Sequence, residues 1–277
     1  MPWESSCHKR DWVPLARQLE HNFGKELMNM SQTLKNKRAL VTGGSRGIGA
    51  AIVKRLASEG ASVAFTYSSS PGKAAEVVKA AEALGVQSVA IQADSADAIA
   101  LVAAVERTVA ELGGIDILVN SAGIAVIGPV DDFKLADFDR TLAINVRAVF
   151  VATQAAIKHM KSGGRIINIG STNAERMPFA GGAVYAMSKS ALQGLVQGLA
   201  RDLGTRGITI NNVQPGPIDT DLNPATGEFA EMMKKQFLAL PRYGTVEEVA
   251  GMVAYLAGPE AAYVTGANLM IDGGFSA

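Results

Sequence analysis

The strongest constraint on the fold is a regular alternation of short apolar runs with longer segments of helical periodicity, which begins at Lys37. The apolar runs are rich in β-branched residues, and the segments between them repeat apolar residues at three- and four-residue spacing. Strands that are apolar throughout and alternate with helices form a parallel sheet covered on both faces. Right-handed crossovers then predict an α/β fold, a single doubly wound Rossmann-like domain with a seven-stranded parallel sheet and helices on both faces.

The predicted elements follow one another without a break in composition. Strands are predicted over residues 38–42, 62–67, 86–92, 115–119, 165–169, 207–213 and 267–271. Helices are predicted over residues 48–59, 73–84, 96–112, 138–160, 183–203 and 246–256. We therefore expect one domain over residues 34–277. Residues 214–243 show no clear pattern; because they follow the sixth strand, we expect a substrate lid there, with a disordered loop as the alternative.

Charge and residue counts argue against several classes of function. Lys plus Arg and Asp plus Glu each total 26 among the 277 residues, so the formal net charge is zero. A nucleic-acid-binding protein usually carries a basic excess, so we expect no nucleic-acid partner. The three histidines are scattered along the sequence, which predicts no metal site. No apolar run in the sequence reaches membrane-spanning length, so we expect no membrane partner.

Residues 1–33 differ from the rest of the chain, because they are polar and charged and hold both tryptophans. We expect an N-terminal extension that is flexible. The alternatives are an arm that contacts a partner, or a true start at Met28 or Met30. The extension has no apolar core of the kind found in secretion signals, and the single cysteine, Cys7, fits a reducing compartment. Both features predict a cytoplasmic location.

A glycine-rich turn, TGGSRGIG, directly follows the first predicted strand. Gly43, Gly47 and Gly49 allow a tight turn that brings backbone N–H groups to a pyrophosphate, and the helix starting near Ile48 points its positive end at that charge. A Cβ at Gly47 or Gly49 would keep the phosphate or the next strand away. Many strand-to-helix turns need a glycine cluster, so it is the position between first strand and first helix that favours a dinucleotide.

The end of the second strand, VAFTYSSS, indicates which dinucleotide is bound. An NAD site usually places an acid there on the ribose 2′-hydroxyl, whereas residues 61–75 contain none. Arg46, Lys73 and the serines at 68–70 offer cations and hydroxyls to a 2′-phosphate instead. The sequence therefore predicts NADP(H) in preference to NAD(H). The alternative is that Arg46 is a solvated surface residue.

Tyr185 and Lys189 are four positions apart in a predicted helix, so about 400° of rotation separates them and they share one face. Tyrosine, with a pKa near 10, is a poor acid–base catalyst when unperturbed. An ammonium about 4 Å from the phenol oxygen is worth roughly 4 kcal/mol at an effective dielectric near 20, and desolvation subtracts from that. We therefore expect Lys189 to lower the pKa of Tyr185 towards neutral pH. Taken alone, Y-x-x-x-K is a frequent accident on helices.

Further motifs follow the glycine turn in order: Asp94 after the third strand, NSAG, Asn145, Ser171, YAMSK and PGPIDT. With these motifs the chain resembles the short-chain dehydrogenase/reductase family over residues 34–277. The resemblance implies an oxidoreductase that transfers a hydride between NADPH and a ketone or secondary alcohol. Within the family, the likeness is to 3-oxoacyl-carrier-protein reductases and related NADPH ketone reductases.

The resemblance also implies a role for each motif residue. Tyr185 acts as general acid or base, Ser171 hydrogen-bonds the substrate carbonyl oxygen, and Lys189 holds the nicotinamide ribose. Asn145 fixes a water that links Lys189 to solvent. The implied cofactor-binding residues are Gly43, Ser45, Arg46, Gly47, Ile48, Gly49, Tyr67, Ser68, Ser69, Asp94, Ser95, Asn120, Ala122, Gly123, Tyr185, Lys189, Pro215, Gly216, Ile218 and Thr220. Taken singly, Asn145 is also an ordinary helix residue, Asp94 an N-cap and PGP a turn.

One spacing departs from the family pattern. Ser171 precedes Tyr185 by 14 positions, whereas in most members the serine is one position closer, which would select Thr172. We favour Ser171 because it directly follows the strand RIINIG, where the family's serine lies. The extra residue is then absorbed in the loop NAERMPFAGG.

The resemblance leaves the substrate and the assembly open. Carrier-protein reductases dock an acidic partner on two arginines; Arg206 matches one of them, but Ser162 stands at the other. We expect a broader reductase of small-molecule carbonyls, with an acyl thioester as the alternative. The stretch NIGSTNAERMPFAGGAVYAMSKSALQGL also resembles a branch described as cyclic-di-GMP-binding biofilm-dispersal proteins, which would make the chain a binding module. Family members are commonly homotetramers, and we expect a homotetramer here.

Overall fold

Seven parallel strands form one sheet in the described part of the chain, residues 32–277 of a computed structural model. In chain order they are β1 Arg38–Thr42, β2 Ser62–Tyr67, β3 Ser88–Gln92, β4 Ile117–Asn120, β5 Arg165–Ile169, β6 Thr209–Pro215 and β7 Asn268–Ile271. Their spatial order is β3-β2-β1-β4-β5-β6-β7, which reverses direction between β1 and β4. The predicted doubly wound α/β sheet of seven strands is confirmed. The predictions made for residues 1–31 lie outside the described residues.

Eight α-helices join the strands in the described residues: α1 Gly47–Ser58, α2 Pro71–Glu82, α3 Ala98–Leu112, α4 Leu135–Leu142, α5 Ala148–Ala156, α6 Ala183–Gly204, α7 Glu228–Gln236 and α8 Val246–Ala257. Side-chain caps define where two of them begin. The Asp97 carboxylate accepts the backbone N–H of Ile99 at 2.8 Å, and Thr245 forms a capping box with Glu248. None of the helices described here has the length and apolarity needed to span a membrane.

Two predicted segments differ from the observed elements. Residues 138–160, predicted as one helix, are α4 and α5 joined by a π-helical turn at Ala143–Arg147. Residues 214–243, predicted to lack regular structure, contain α7. Because α7 buries Ala230 and Met233 against Phe275 at the far end of the chain, its stability comes from a contact that local sequence does not contain.

The sheet is covered on both faces because successive strand residues point to opposite sides. Val41 and Ile167 pack into the layer formed with α1 and α8, whereas Leu40 and Ile166 pack into the layer formed with α3, α5 and α6. All four side chains are at most 1% exposed, and burying such a side chain contributes about 1.5–3 kcal/mol. With both faces closed, the carboxyl edge of the sheet is where a ligand can reach several strands at once.

Candidate active site

A cleft of about 810 Å³ opens at the carboxyl edge of the sheet. Most of its lining comes from the residues that follow β1 to β6, including the segment 216–243 after β6. Strand order reverses between β1 and β4, and the loops leaving these two strands run to opposite faces. Open parallel sheets bind their ligands at such a reversal, so the cleft lies where the topology predicts a site.

The glycine turn forms one wall of the cleft. Gly43 has a φ of +71°, and a Cβ there would lie 2.9 Å from the Cα of Ala122. A Cβ at Gly49 would overlap the carbonyl oxygen of Gly43. The backbone can therefore bend tightly only with glycine at these positions, and α1 begins inside the turn at Gly47. Because glycine leaves the backbone of the turn uncovered, its N–H groups and the N-terminus of α1 fit the pyrophosphate of a dinucleotide.

The predicted adenosine end of the cleft carries charged groups. Arg46 is exposed and lines the cleft together with Tyr67, Ser68, Ser69 and Ser95. Asp94 lines it too, accepting the backbone N–H of Ala96 at 2.9 Å and lying 3.7 Å from Arg140. The N-cap of α3 is Asp97, so the alternative interpretation of Asp94 as that cap is wrong.

An acid that the sequence reasoning missed lies at the same end. Asp221, from the segment after β6, pairs with Lys73 at 2.9 Å. The hydrogen bond from Lys73 and the charges of Lys73 and Arg46 lower the pKa of the Asp221 carboxyl. Residues 61–75 hold no acid of their own, and this one comes from about 150 positions away, where no local motif marks it.

Ser171 and Tyr185 form the polar centre of the cleft. Both line it, and the Ser171 hydroxyl lies close enough to the Tyr185 phenol to lower the pKa of that phenol. The backbone N–H of Asn173 donates to the Ser171 hydroxyl oxygen at 3.1 Å, and the Gln214 side chain donates to the Ser171 carbonyl at 3.0 Å. These contacts fix both the backbone and the side chain of Ser171 beside the tyrosine.

Thr172 is turned away from this centre. Its side chain is fully buried and its hydroxyl donates to the carbonyl oxygen of Pro215 at 3.3 Å. It is not among the residues that line the cleft. Of the two adjacent hydroxyls, Ser171 is therefore the one that can reach a substrate, despite the spacing of 14.

Lys189 brings a buried ammonium to the same place. Its Nζ donates to the carbonyl oxygen of Ile169 at 2.9 Å, and the residue is only 6% exposed. Burial lowers the pKa of the Lys189 ammonium to about 8. No carboxylate among residues 32–277 forms a salt bridge with it, and the Ile169 carbonyl accepts its hydrogen bond.

The expectation that Lys189 lowers the pKa of Tyr185 is wrong in this structure. Burial raises the pKa of the Tyr185 phenol, and the hydrogen bond from Ser171 only partly opposes that rise. The Lys189 Nζ lies 5.9 Å from the centroid of the tyrosine ring and is directed to the Ile169 carbonyl. Desolvation of the phenolate outweighs attraction to an ammonium held at this position.

Asn145 lies in the π-helical turn, and its side chain hydrogen-bonds two other segments of the chain. Its Oδ1 accepts the N–H of Ile124 at 2.9 Å, and its Nδ2 donates to the Ile124 carbonyl at 2.9 Å and to Ser188 Oγ at 3.0 Å. The Ser188 hydroxyl in turn donates to the carbonyl of Tyr185 at 2.7 Å. The side chain thus links the loop after β4 to the helix that carries the tyrosine. Its role in a water relay stays a prediction.

Asn120 is buried at the end of β4, and its predicted contact with the cofactor stays a prediction. Its Nδ2 donates to Asn168 Oδ1 at 2.9 Å and to Thr153 Oγ1 at 3.3 Å. Asn120, Asn168, Asn212 and Asn268 pair in register across four neighbouring strands. Because register pairs share a face, these amides form a polar layer between the apolar core and the cleft.

The remaining predicted cofactor residues line the cleft as expected. They are Gly43, Ser45, Gly47, Ile48, Gly49, Ala122, Gly123, Lys189, Pro215, Gly216, Ile218 and Thr220. Gly123 lies next to the lysine, since a Cβ there would be 3.3 Å from Lys189 Nζ. The placement supports these predictions, and their roles stay predictions.

Comparison with known proteins identifies the family. A family model described as "Enoyl-(Acyl carrier protein) reductase" matches residues 43–276. A solved short-chain dehydrogenase/reductase from Serratia marcescens BCRC 10948 is 63% identical, covers 88% of this chain and 99% of its own, and superposes with a TM-score of 0.87. The chain belongs to the short-chain dehydrogenase/reductase family.

Further members of the short-chain dehydrogenase/reductase family are similar over nearly their whole length. A short-chain dehydrogenase from Burkholderia cenocepacia J2315, solved in complex with NADP, is 55% identical with a TM-score of 0.87, covering 88% of this chain and 99% of its own. The "Cyclic-di-GMP-binding biofilm dispersal mediator protein" of Escherichia coli K12 is 52% identical over 87% of this chain and 98% of that protein. A 3-oxoacyl-[acyl-carrier-protein] reductase of Staphylococcus aureus strain Mu50 is 40% identical over 86% of this chain and 97% of that protein.

Sequence reasoning missed the apolar part of this short-chain dehydrogenase/reductase site. The missed lining residues are Ile127, Phe179, Leu222, Phe229, Met233, Tyr243 and Phe275. They come from four separate segments and carry no motif. Only their density of large apolar side chains in otherwise polar loops could have pointed to them.

The two hydroxyls at the strand end can be separated by substitution. We expect Ser171→Ala to lower kcat for ketone reduction by about 10²–10³, because a donor to the developing oxyanion is lost. Thr172→Val keeps the shape of a side chain that faces Pro215, and should keep most of the activity while lowering stability. Steady-state kinetics with circular dichroism as a folding control would test this. Loss of activity in Thr172→Val with retention in Ser171→Ala would contradict the assignment.

The low pKa of Lys189 makes stability depend on pH. An unfolded lysine titrates near 10.4, so between pH 8 and 10 the unfolded chain binds more protons than the folded one, and stability rises with pH. Relative to Lys189→Met, we expect the free energy of unfolding to increase by about 2 kcal/mol from about pH 7 to 9.5. Urea titrations at each pH would measure it. A difference that stays flat or falls with pH would mean that the ammonium is not desolvated.

Proposed function

We propose that the protein is an NADPH-dependent ketone reductase that interconverts a ketone and a secondary alcohol, with Tyr185 as general acid or base. The observation that carries the proposal is the placement of Ser171 and Tyr185 together in a cleft that also holds the buried ammonium of Lys189. Family membership supports the oxidoreductase chemistry, and the geometry supports these residues in it.

The residues have complementary parts in the reaction. Bound NADPH would supply the hydride. The Ser171 hydroxyl donates to the substrate carbonyl oxygen, and Tyr185 passes its proton to that oxygen as negative charge develops. Its raised pKa keeps Tyr185 protonated at neutral pH, which is the form that reduction requires. The Lys189 ammonium stabilises the tyrosinate that remains, at low local dielectric.

Several groups favour NADP(H) over NAD(H). Arg46 lies in the glycine turn with the hydroxyls of Ser68 and Ser69 beside it, and all three line the cleft. Asp221 pairs with Lys73, and the charges of Lys73 and Arg46 lower the pKa of its carboxyl, so an anion is already stabilised at this corner. A 2′-phosphate would replace that carboxylate as the partner of the two cations. The relative from Burkholderia cenocepacia was solved with NADP.

A broad carbonyl reductase is favoured over a reductase specific for carrier-bound acyl groups. The Arg206 guanidinium donates back to the carbonyl oxygen of Ile157, and Ser162 gives no second cation for an acidic carrier. An acyl thioester remains the alternative substrate, supported by the relative from Staphylococcus aureus.

A second candidate function is the binding of cyclic-di-GMP, which the name of the Escherichia coli relative supports. The glycine turn and Arg46 offer backbone N–H groups and a cation to a phosphate. A binding module would have no need of the complete set of Ser171, Tyr185 and Lys189, so reduction is the first choice.

We also propose a homotetramer, as the family resemblance implies. Phe150 on α5 and Met187 on α6 leave 44% and 45% of their surface exposed, and subunit contacts would bury them. Sedimentation analysis of the purified protein would measure the assembly directly.

Turnover and ligand binding distinguish the two candidate functions. We expect NADPH oxidation, followed by absorbance, with at least one member of a panel of alkyl ketones, aryl ketones and a 3-oxoacyl thioester. Tyr185→Phe should lower kcat by at least about 10² and leave NADPH binding intact, because only proton transfer is lost. Calorimetry with cyclic-di-GMP runs in parallel. Micromolar binding of that dinucleotide without turnover of any carbonyl compound would favour the binding module.

Cofactor preference depends on Arg46. We expect Arg46→Ala to raise the KM for NADPH about tenfold, since a charge-assisted hydrogen bond is worth about 1.5–3 kcal/mol, and to leave the KM for NADH nearly unchanged. Arg201→Ala removes an exposed arginine on α6 that does not line the cleft, and serves as the control. Equal changes with both cofactors, or tighter binding of NADH by the wild type, would contradict the preference.

A further inference from the structure

Part of the cleft lining is apolar and remains open to solvent. Ile127, Leu222 and Phe229 all line the cleft, and they keep 51%, 72% and 51% of their surface exposed. Phe179 lines it as well and contacts Phe229. We call Ile127, Phe179, Leu222 and Phe229 the apolar mouth. Large apolar side chains gathered in a concave site mark a surface that a ligand covers.

The apolar mouth adjoins the reacting groups through the chain itself. Phe179 belongs to the loop that begins at Ser171 and leads into the helix of Tyr185. The N–H of Gly128, next to Ile127, donates to the carbonyl of Gly181 in that loop at 3.0 Å. The loop after β4 and the loop after β5, which carries Ser171 at its start, therefore meet at the mouth.

Two aromatic rings from separate segments of the chain contact each other in the apolar mouth. Phe179 comes from the loop after β5, and Phe229 from α7 in the segment after β6. Their ring centroids are 5.9 Å apart with an interplanar angle of 79°, an edge-to-face contact. A third aromatic ring can join such a pair with the same offset or edge-to-face geometry, which aliphatic groups cannot reproduce.

Charged side chains in the cleft lie at other positions. Within residues 32–277, the charged side chains that line it are Arg46, Asp94, Arg140, Lys189 and Asp221. Arg140 pairs with Asp94 and Asp221 with Lys73, both at the predicted adenosine end. The Lys189 ammonium donates to the Ile169 carbonyl oxygen. The apolar mouth itself has no charged member, so a carboxylate or phosphate placed there would lose hydration without gaining a partner.

We propose that the apolar mouth selects a neutral aryl ketone, with the aromatic ring against Phe179 and Phe229 and the carbonyl oxygen on Ser171 and Tyr185. This inference rests on the proposed ketone reduction. It goes further by naming the substrate class and its two specificity-determining residues. The smaller substituent of the ketone lies on the other side of the carbonyl.

Matched substrates test the class. For the wild type with NADPH, we expect kcat/KM for acetophenone to exceed that for 4-acetylbenzoate and for 2-butanone by at least about tenfold each. The carboxylate analogue adds only a charge to the same ring, and butanone removes the ring. Equal or better use of either compound would overturn the proposal.

Variants test the two rings. Phe179→Ala and Phe229→Ala should each raise the KM for acetophenone about tenfold and leave kcat/KM for 2-butanone within about twofold. Phe179→Leu and Phe229→Leu keep apolar bulk and should recover only part of the loss. Leu84→Ala, an exposed leucine that does not line the cleft, is the control. An equal loss with both ketones would show that the rings support the fold and do not select the substrate.

A measurement of ketone binding without turnover tests this inference independently of the proposed function. Tyr185→Phe, saturated with NADPH, should bind acetophenone and exclude 4-acetylbenzoate in calorimetry, whether or not the wild type turns either over. Turnover of butanone alone would overturn the aryl class and leave ketone reduction standing. No turnover of any ketone would overturn ketone reduction itself.

Discussion

Parallel pairing of the central strands is the constraint on which the site depends. Thr42 pairs with Asn120, Asn120 with Asn168, and Ile169 with Val213, so β1, β4, β5 and β6 end in one layer. Each strand end is followed by a group the cleft needs: the glycine turn, Gly123, Ser171 and Pro215. A shift of register by one residue would move each strand's side chains to the opposite covered face and separate these groups. The chemistry of the site is thus a consequence of backbone hydrogen bonding across residues far apart in sequence.

Burial sets the electrostatics of the site more strongly than charge pairing does. It lowers the pKa of Lys189 to about 8 and raises the pKa of Tyr185. Each group is pushed towards its neutral form, and the neutral phenol is the proton donor that ketone reduction needs. The ammonium keeps its charge at neutral pH because its pKa of about 8 still lies above that pH.

Local sequence predicted the parts of the fold and site that depend on short-range pattern. Apolar runs marked all seven strands, and the motifs marked Ser171, Tyr185 and Lys189 at the positions where the structure brings them together. Local sequence did not predict the features that depend on contacts between residues far apart in the chain. Helix α7 is held by Phe275, Asp221 is held by Lys73, and the pKa of Tyr185 depends on burial. The side-chain pairing of Asn120 with Asn168 was likewise not predicted, because a motif position says nothing about the face its side chain takes in the sheet.

The central claim is that this cleft transfers a hydride to a carbonyl carbon with Tyr185 supplying the proton. NADPH carrying deuterium at the nicotinamide C4, tested separately on each of its two faces, measures this most directly. We expect deuterium from one face alone to appear on the carbinol carbon of the product alcohol. Tyr185→Phe should abolish that transfer while still binding the cofactor. Alcohol formed without deuterium from either face, or unchanged transfer in Tyr185→Phe, would contradict the account.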